Sequence, residues 1–480
     1  MISSWAKEEV ATVDFGDERL DARIAIVLSA LGNRPNLSIP AACGGRAEMQ
    51  AAYRFFDNDK VTFAKVLEPH IRRTHERLAV QPVVLLVQDT TELDLTRPVQ
   101  DVEGAGDLDG SRRGFLLHEM QAFTPEGTPL GTAWAEILNR TGRGVSQMSA
   151  AEKQEYRKQR RRLPIEEKES MRWLTGLRQA RMLAQQTPKT QYICIADSEA
   201  DIHEFFAEAR GERPVHWLIR AYHDRAVEGN APGLLRDQVL ATRVLYKVEI
   251  LVRGRQAKTG VEVRTRRQNR DTRQAKVAVR AATLTLRPPH RLDRKLPPVT
   301  VNVVLVREPN PPQGETPVEW ILTTTLPIDT PEQVRAIVEY YCVRWNIEIF
   351  FRTLKSGCRI ERRRFEHVDR VLPCLALCLI VAWRTLFLCY MGRNCPDLDC
   401  EVVFELSEWK AVWVTIHGKK PPKKIPRMAE MVRFIARLGG YIERPNSEPG
   451  PQTIWIGMQR MYDLAWAWES FGPQAKIHPS

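Results

Sequence analysis

The chain has no CxxC pair, no apolar leader and no internal repeat. Its nine cysteines are an odd number, and most lie in apolar surroundings. That argues against a disulfide framework and reads as reduced thiols of a cytosolic protein. Cys374 and Cys378 stand one helical turn apart, but no His or further Cys follows at ligand spacing, so core packing is the reading and not zinc. The opening stretch MISSWAKEEVATVDFGDERL is charged and holds no apolar signal core. The most apolar run, VLPCLALCLIVAW at 371–383, meets Arg384 well short of a membrane span, which predicts a buried helix and no membrane. Acidic residues are the minority: 59 Asp+Glu against 71 Lys+Arg give +12 and a pI near 9.3. That balance favours a polyanionic partner such as nucleic acid and says nothing of fold. With 43% apolar residues general disorder is excluded, and 480 residues suffice for roughly two to four domains.

Along the chain, the first section to about Arg77 reads as short helices. GDERLDARIAIVLSALG and RAEMQAAYRFFDN have helical periodicity, and Arg19, Arg23, Arg46 and Arg54 on them are either phosphate contacts or ordinary solvated charges. PVVLLVQDTTELDL then reads as a strand buried on both faces. GFLLHEMQAFT and PLGTAWAEIL are two further strands joined by a PEGT turn. YRKQRRRLPIEEKESMRWLTGLRQARMLAQQ contains a long charged helix, and YICIADSEADIHEFFAEAR is strand, turn, helix. From about Gly211 to Trp320 the pattern is mostly strand, in YKVEILVRG, VEVRTR, AKVAVRAATLTLRP, VTVNVVLVRE and VEWILTTT. Between Leu251 and Asn310 there are 15 Lys/Arg against 4 Asp/Glu, which suggests a surface along a nucleic acid backbone or a set of solvated sheet faces. The end of the chain is helical again, in MVRFIARLGGYI and MQRMYDLAWAWESF. HGKKPPKKIPR at 417–427 is a basic, Pro-broken loop, either a phosphate contact or an exposed linker.

The segment YYCVRWNIEIFFRTLK, 340–355, carries charge among large apolar side chains. On one helix at about 100° per residue, Tyr341, Arg344, Glu348, Arg352 and Lys355 fall within roughly 80° of one another, with Val343, Ile347, Phe350 and Leu354 opposite. Taken alone this is an amphipathic surface helix with ion pairs one turn apart. Two acids elsewhere change the weighing. Asp89 follows the buried run at 83–87, and Asp197 follows YICIA. An acid at the end of a core strand is costly unless something pairs it. With Glu348 they would make three carboxylates, an oxygen-donor set that suits Mg²⁺ or Mn²⁺ rather than zinc. Two such ions could activate an attacking oxygen and stabilise a leaving oxygen of a phosphodiester, with Arg344, Arg352 and Lys355 on the flanking phosphates. Glu92, Asp94, Glu199 and Asp201 are rival acids, and His118 and His203 are nearby, the latter equally readable as a structural residue.

YCVRWNIEIFFRTLK fits the pattern Y-x2-R-x3-E-x6-K at Tyr341, Arg344, Glu348 and Lys355. With QDTTELDL, EEKESMRWL, DSEADIH, NPPQGETPVEWIL and IARLGGYI in the same order, and with GDERLDAR and AAYRFF near the start, the chain resembles the bacterial insertion-sequence-four group of cut-and-paste DDE transposases, the group that contains the Tn-five transposase. The likeness runs over nearly the whole chain. It implies an α/β fold: a ribonuclease-H-like catalytic core with a mainly β insertion, flanked by helical N-terminal and C-terminal domains. The expected division is a DNA-binding domain at 1–70, a catalytic domain at 71–368 with the insertion at about 211–320, and a dimerisation domain at 369–480. The resemblance implies that Asp89, Asp197 and Glu348 are the catalytic, metal-binding acids, taking Mg²⁺ (or Mn²⁺), two ions per site. It also implies DNA contacts at Tyr341, Arg344, Arg352, Lys355, Trp320 and Arg220, with Trp320 stacking on a flipped base. Arg352 stands where Lys is common, which keeps the charge but not the geometry. The implied partners are double-stranded DNA, as terminal inverted repeats and target, and a second copy in the synaptic complex. The implied setting is the bacterial cytoplasm, at the nucleoid. Two other readings stay open: a nuclease that only hydrolyses DNA, and a non-catalytic DNA-binding regulator descended from a transposase.

Overall fold

The computed structural model describes residues 2–97, 101–109, 111–140, 148–208, 211, 214–229, 233–252, 272–291, 294–444 and 447–473, without the side chains at 157, 161 and 251. The chain opens with five helices: α1 (Ser4–Glu9), α2 (Glu18–Asn33), α3 (Ile39–Cys43), α4 (Arg46–Phe56) and α5 (Phe63–Ala79). Asp17, Ser38 and Thr62 start α2, α3 and α5 by accepting a backbone N–H of the first turn, as short polar side chains do at helix starts. Strands β1 (Val83–Asp94), β2 (Gly106–Asp109), β3 (Arg112–Phe123) and β4 (Pro129–Leu138) follow, then helices α6 (Ala150–Arg162) and α7 (Met171–Gln186). Next come β5 (Gln191–Ala196), α8 (His203–Ala207), β6 (His216–Arg220), β7 (Ala226–Val227), β8 (Gly233–Leu234), α9 (Leu235–Leu240) and β9 (Tyr246–Val252). The chain continues with β10 (Arg273–Leu286), β11 (Val299–Arg307), β12 (Glu319–Thr324), α10 (Pro331–Val343) and α11 (Trp345–Arg352), and closes with α12 (Val368–Asn394), α13 (Leu406–His417), α14 (Met428–Leu438) and α15 (Pro451–Phe471). The mixed α/β class with helical ends is the class expected from the sequence.

Two compact units divide the chain. The first holds residues 1–155 and 345–480. In it β1, β3 and β4 form an antiparallel sheet, with β2 on the other side of β3's start. The PEGT turn predicted between β3 and β4 is present, with Gly127 at φ 89° and Thr124 and Thr128 bonded across it. Helices α5 and α12 pack against β4. Helix α12 is long and apolar enough to cross a membrane, but its apolar window is 89% buried inside the protein, so it is a core helix. Arg384 does not end it. The residue is buried within the helix and donates to Val403 O at 3.0 Å. Around the end of α12, a second core joins α13, α14 and α15 through Met431, Val432, Ile435, Ile454 and Met458.

The second unit is 156–344. Its sheet runs β5-β6-β12-β11-β10-β7-β8, with β9 also pairing β10. Among the described residues of this unit only β5 and β6 pair in parallel. The predicted strands YKVEILVRG, AKVAVRAATLTLRP, VTVNVVLVRE and VEWILTTT are β9 to β12, while VEVRTR lies outside the described residues. The short α9 interrupts what the sequence reads as strand.

Three expectations are corrected. The long charged helix is two helices, because Pro164 ends one and a 3₁₀ turn at Ile165–Glu167 separates them. Asp89 is not at a strand end, since β1 continues to Asp94. The single charged helix at 340–355 is also broken. α10 stops at Val343, Arg344 forms a turn, α11 follows, and Thr353–Gly357 is a π turn. Tyr341 and Arg344 are buried, so the uniform exposed stripe is not formed; only Glu348 and Arg352 are exposed on it.

Candidate active site and nucleic-acid interface

In the first unit, Asp89 is half-buried on β1 after the fully buried residues Val84–Val87, and its Oδ1 accepts the Thr90 N–H at 2.7 Å. Its strand partner is Glu119. Directly opposed antiparallel residues point to one face, so the two carboxyls share a side of the sheet. Glu119 is fully buried and accepts from Thr132 Oγ1 at 2.7 Å; burial pushes its carboxyl up to about 8, with the Thr132 bond opposing. The sequence reading did not single out Glu119. Its signal was the one acid inside the mainly apolar strand GFLLHEMQAFT.

Helix α11 packs against β1. It buries Ile347, Phe350 and Phe351 and anchors its start through Asn346, which donates to Gly127 O at 3.3 Å and accepts from the Tyr390 hydroxyl at 2.6 Å. That leaves Glu348 and Arg352 exposed. The π turn carries half-buried Lys355, whose Nζ is 3.6 Å from Glu361 Oε1. The same oxygen accepts the Asp94 N–H at 3.1 Å, tying the turn to the end of β1. π turns recur at functional sites because they re-aim side chains off a regular helix.

In the second unit, Asp197 leaves β5 and caps the turn Ser198–Ala200, accepting the Glu199 N–H at 2.8 Å. The Trp320 ring, at the start of β12 and half-buried, lies 5.9 Å from the Tyr341 ring. The Arg344 guanidinium sits 5.8 Å from the same ring. Burial raises the Tyr341 phenol above its usual range; Arg344 and Arg220 oppose the shift and Asp197 adds to it. Trp320 and Arg344 thus flank the Tyr341 ring, and Arg220 and Asp197 lie within electrostatic reach of its phenol.

The rival acids are occupied. Glu92 pairs with Arg112 at 2.8 Å, Glu199 with Arg172 at 2.8 Å, and buried Asp201 with Arg225 at 2.7 Å. Asp94 lies 3.9 Å from Arg112. His118 is buried between Thr90 at 2.8 Å and Gln88 at 3.2 Å, and buried His203 bonds to Pro297 O at 2.8 Å, so both are structural.

Half of the described basic residues at 251–310, four of eight, face a carboxylate. Arg273 pairs with Glu308 at 2.6 Å, Arg291 with Glu204 at 2.7 Å, Arg294 with Glu166 at 3.0 Å and Arg307 with Glu319 at 3.3 Å. Strand β11 is mostly buried. Those four arginines already face glutamates, whereas Lys276, Arg287 and Lys295 are exposed, and residues 253–271 lie outside the described ones.

Three family models match. Residues 2–61 match a transposase DNA-binding domain and residues 380–466 the Transposase Tn5 dimerisation domain. A Transposase DDE domain model matches residues 144–383, half of the chain. The chain belongs to the DDE transposases. The DDE match includes Asp197 and Glu348 and begins after Asp89. DDE transposases are DNA-cleaving enzymes that work with divalent metal ions, and the two flanking matches make DNA and a second copy of the chain partners of this transposase.

The donor chemistry of the transposase fits such an ion. Asp89, Asp197 and Glu348 are partly or fully exposed carboxylates, while the histidines nearby are held in structural hydrogen bonds. Hard oxygen donors of this kind suit Mg²⁺ or Mn²⁺. Asp89 and Glu348 belong to one unit and Asp197 to the other. Among the described residues no three His, Cys, Asp or Glu side chains form a ready-made ligand group.

Proposed function

We propose that this transposase is a Mg²⁺-dependent cut-and-paste enzyme. It binds the terminal inverted repeats of its element, cleaves them through a hairpin intermediate and joins the freed 3′ ends to target DNA. The observation that carries the reading is the gathering of Asp197, Arg220, Trp320 and Arg344 around Tyr341. It brings an acid, two cations and a half-exposed aromatic face together, which is what a strained DNA end requires of a protein surface.

The proposed roles follow from the side chains. Asp89, Asp197 and Glu348 hold the metal ions, two per site, and the ions activate the attacking oxygen and stabilise the leaving one. Arg344, exposed Arg352 and Lys355 hold flanking phosphates. Trp320 offers its open face to a base displaced from the duplex, a contact worth about 1–3 kcal/mol. Buried Tyr341 supports Trp320 and Arg344 from behind rather than meeting DNA broadly. Arg220 stands beside them as a further phosphate contact. The domain reading proposed with this function is DNA binding at 1–70, catalysis at 71–368 with the β insertion at about 211–320, and dimerisation at 369–480. Two copies pair two element ends in the bacterial cytoplasm, each site cutting the end held mainly by its partner.

The test uses purified protein, Mg²⁺ and DNA bearing the inverted repeats that flank its gene. Wild type should give nicked, hairpin and joined products. Asp89→Asn, Asp197→Asn and Glu348→Gln should each lower cleavage by more than about 10³-fold while still binding the ends, on the scale of losing an essential catalytic group. Undiminished cleavage by those variants rejects the assignment. Nicks without hairpins or joined products point to a hydrolytic nuclease, and end binding without any cleavage by wild type to a regulator.

A further inference from the structure

The loop 418–427 is a second basic feature that the catalytic reading does not use. Helix α13 ends at Gly418, whose φ of 64° is the left-handed conformation a glycine adopts freely, and its N–H bonds to Val414 O at 2.8 Å. Lys419, Lys420, Lys423 and Lys424 follow, all exposed. No Asp or Glu occurs between Glu408 and Glu430. Among the described residues none of the four lysines makes an ion pair or hydrogen bond. Arg273, Arg291, Arg294 and Arg307 of the β-rich unit differ on this point, since each faces a carboxylate.

The loop is also fixed at both roots. His417 lies 4.0 Å from the Trp413 ring and 5.0 Å from Phe434. Ile425 packs on the C-terminal core, and buried Pro426 accepts the Cys400 N–H at 3.0 Å. Arg427 bridges Asp399 at 2.6 Å, and Glu430 accepts the Arg427 N–H at 2.8 Å, so the nearest acids are turned to the root and not to the lysines. Pro421, Pro422 and Pro426 restrict the backbone between. Four uncompensated ammonium groups are thus held on a short stiff arc.

We propose that this arc is a sequence-independent binding surface for the phosphate backbone of duplex DNA outside the recognised ends. The proposal rests on the transposase reading. Lysine meets phosphate as a point charge and carries no base information, and the stretch 418–426 holds no Arg, Asn, Gln or aromatic side chain to read base edges. Its one large apolar side chain, Ile425, packs on the core, so there is nothing to insert into a lipid surface.

The test compares full-length wild type with the K419Q/K420Q/K423Q/K424Q variant and with a charge-matched control, K158Q/K189Q/K247Q/K276Q, built on lysines that are also exposed. Affinity for a random-sequence duplex is read by anisotropy over a salt series. Each phosphate that is no longer neutralised takes about 0.9 from the slope of log affinity against log salt. The loop variant should drop by about 2–4 in slope and at least about tenfold in affinity at low salt, with an unchanged thermal midpoint and an unchanged preference for end-bearing DNA over random DNA. An unchanged slope overturns the proposal. So does an equal drop in the control, which would make the effect one of net charge, and so does a drop confined to end-bearing DNA. Wild type that binds no duplex at low salt would instead overturn the transposase reading itself.

Discussion

Residue by residue, the most consequential feature outside the acids is a buried polar chain in the first unit. Glu9 of α1 accepts from Arg77 at 2.6 and 3.3 Å and from His70 Nδ1 at 2.6 Å. His70 Nε2 accepts the Thr132 N–H at 3.2 Å, which fixes the tautomer: Nδ1 carries the proton. Arg77 also lies 4.3 Å over the Trp383 ring. Burial pushes the Glu9 carboxyl up, but His70 and Arg77 reverse that and hold it at about 2, below its usual 4.5. Burial also holds His70 below its usual range, so Arg77 supplies the positive charge. A carboxyl with a depressed pKa stabilises the fold above its unfolded value and ceases to do so as pH falls through the folded one. Glu9→Gln should therefore cost about 3 kcal/mol near neutral pH and lose relatively less as pH drops from 4.5 toward 2. Thermal midpoints of both proteins over that window check this; parallel curves would refute it. None of this chain was visible in the sequence, because residues 9, 70, 77 and 132 meet only through tertiary packing. Asp197 was legible, because an acid directly after an apolar run marks a strand exit. The same rule put Asp89 at a strand exit, but its strand runs on to Asp94. Polar residues from Thr90 to Asp94 are tolerated there because β3 pairs with them and their side chains are only partly buried.

At the scale of elements, the strands were the most legible, since β1, β3, β4 and β10 to β12 each carry unbroken apolar or alternating patterns. The break at Arg344 was not. A sequence read at constant helical period cannot register one turn residue followed by a π turn, and the period then misplaces Tyr341 on an exposed face. The packing of α14 on α15 was equally invisible in periodicity but is written in glycines. A Cβ on Gly457 would lie 1.8 Å from Ile435 O, and one on Gly439 would lie 1.9 Å from Thr453 O. Backbone cannot yield as a flexible side chain does, so the two helices cross only where both residues lack a side chain. Gly457→Ala should force them apart at a cost of about 1–3 kcal/mol. Helix α14 and most of α15, Gly457 included, fall within the matched dimerisation domain, so self-association should weaken as well. Gly450→Ala, where nothing lies within 4 Å, is the control. Thermal unfolding and sedimentation of the two variants decide it: equal behaviour would mean the crossing relaxes at no cost.

For the whole molecule, the net charge of +12 pointed to DNA before any element was known, but it did not say where the DNA-facing charge sits. Sequence counting placed it in the strand-rich stretch 251–310, because a count cannot see which cations already face carboxylates. Arg294 and Arg307 show the difference. Each belongs to that stretch and each is held by a glutamate, Glu166 or Glu319. An arginine so paired must give up its partner before it can neutralise a phosphate, and exposed pairs of this type contribute only about 0–1 kcal/mol to stability. Arg294→Gln and Arg307→Gln should thus lower stability by no more than about 1 kcal/mol and leave the salt slope of duplex binding unchanged. If instead either substitution lowers that slope by about 0.9, the arginine exchanges its glutamate for a phosphate when DNA binds. The β-rich unit would then rejoin the DNA-binding surface that its composition first suggested.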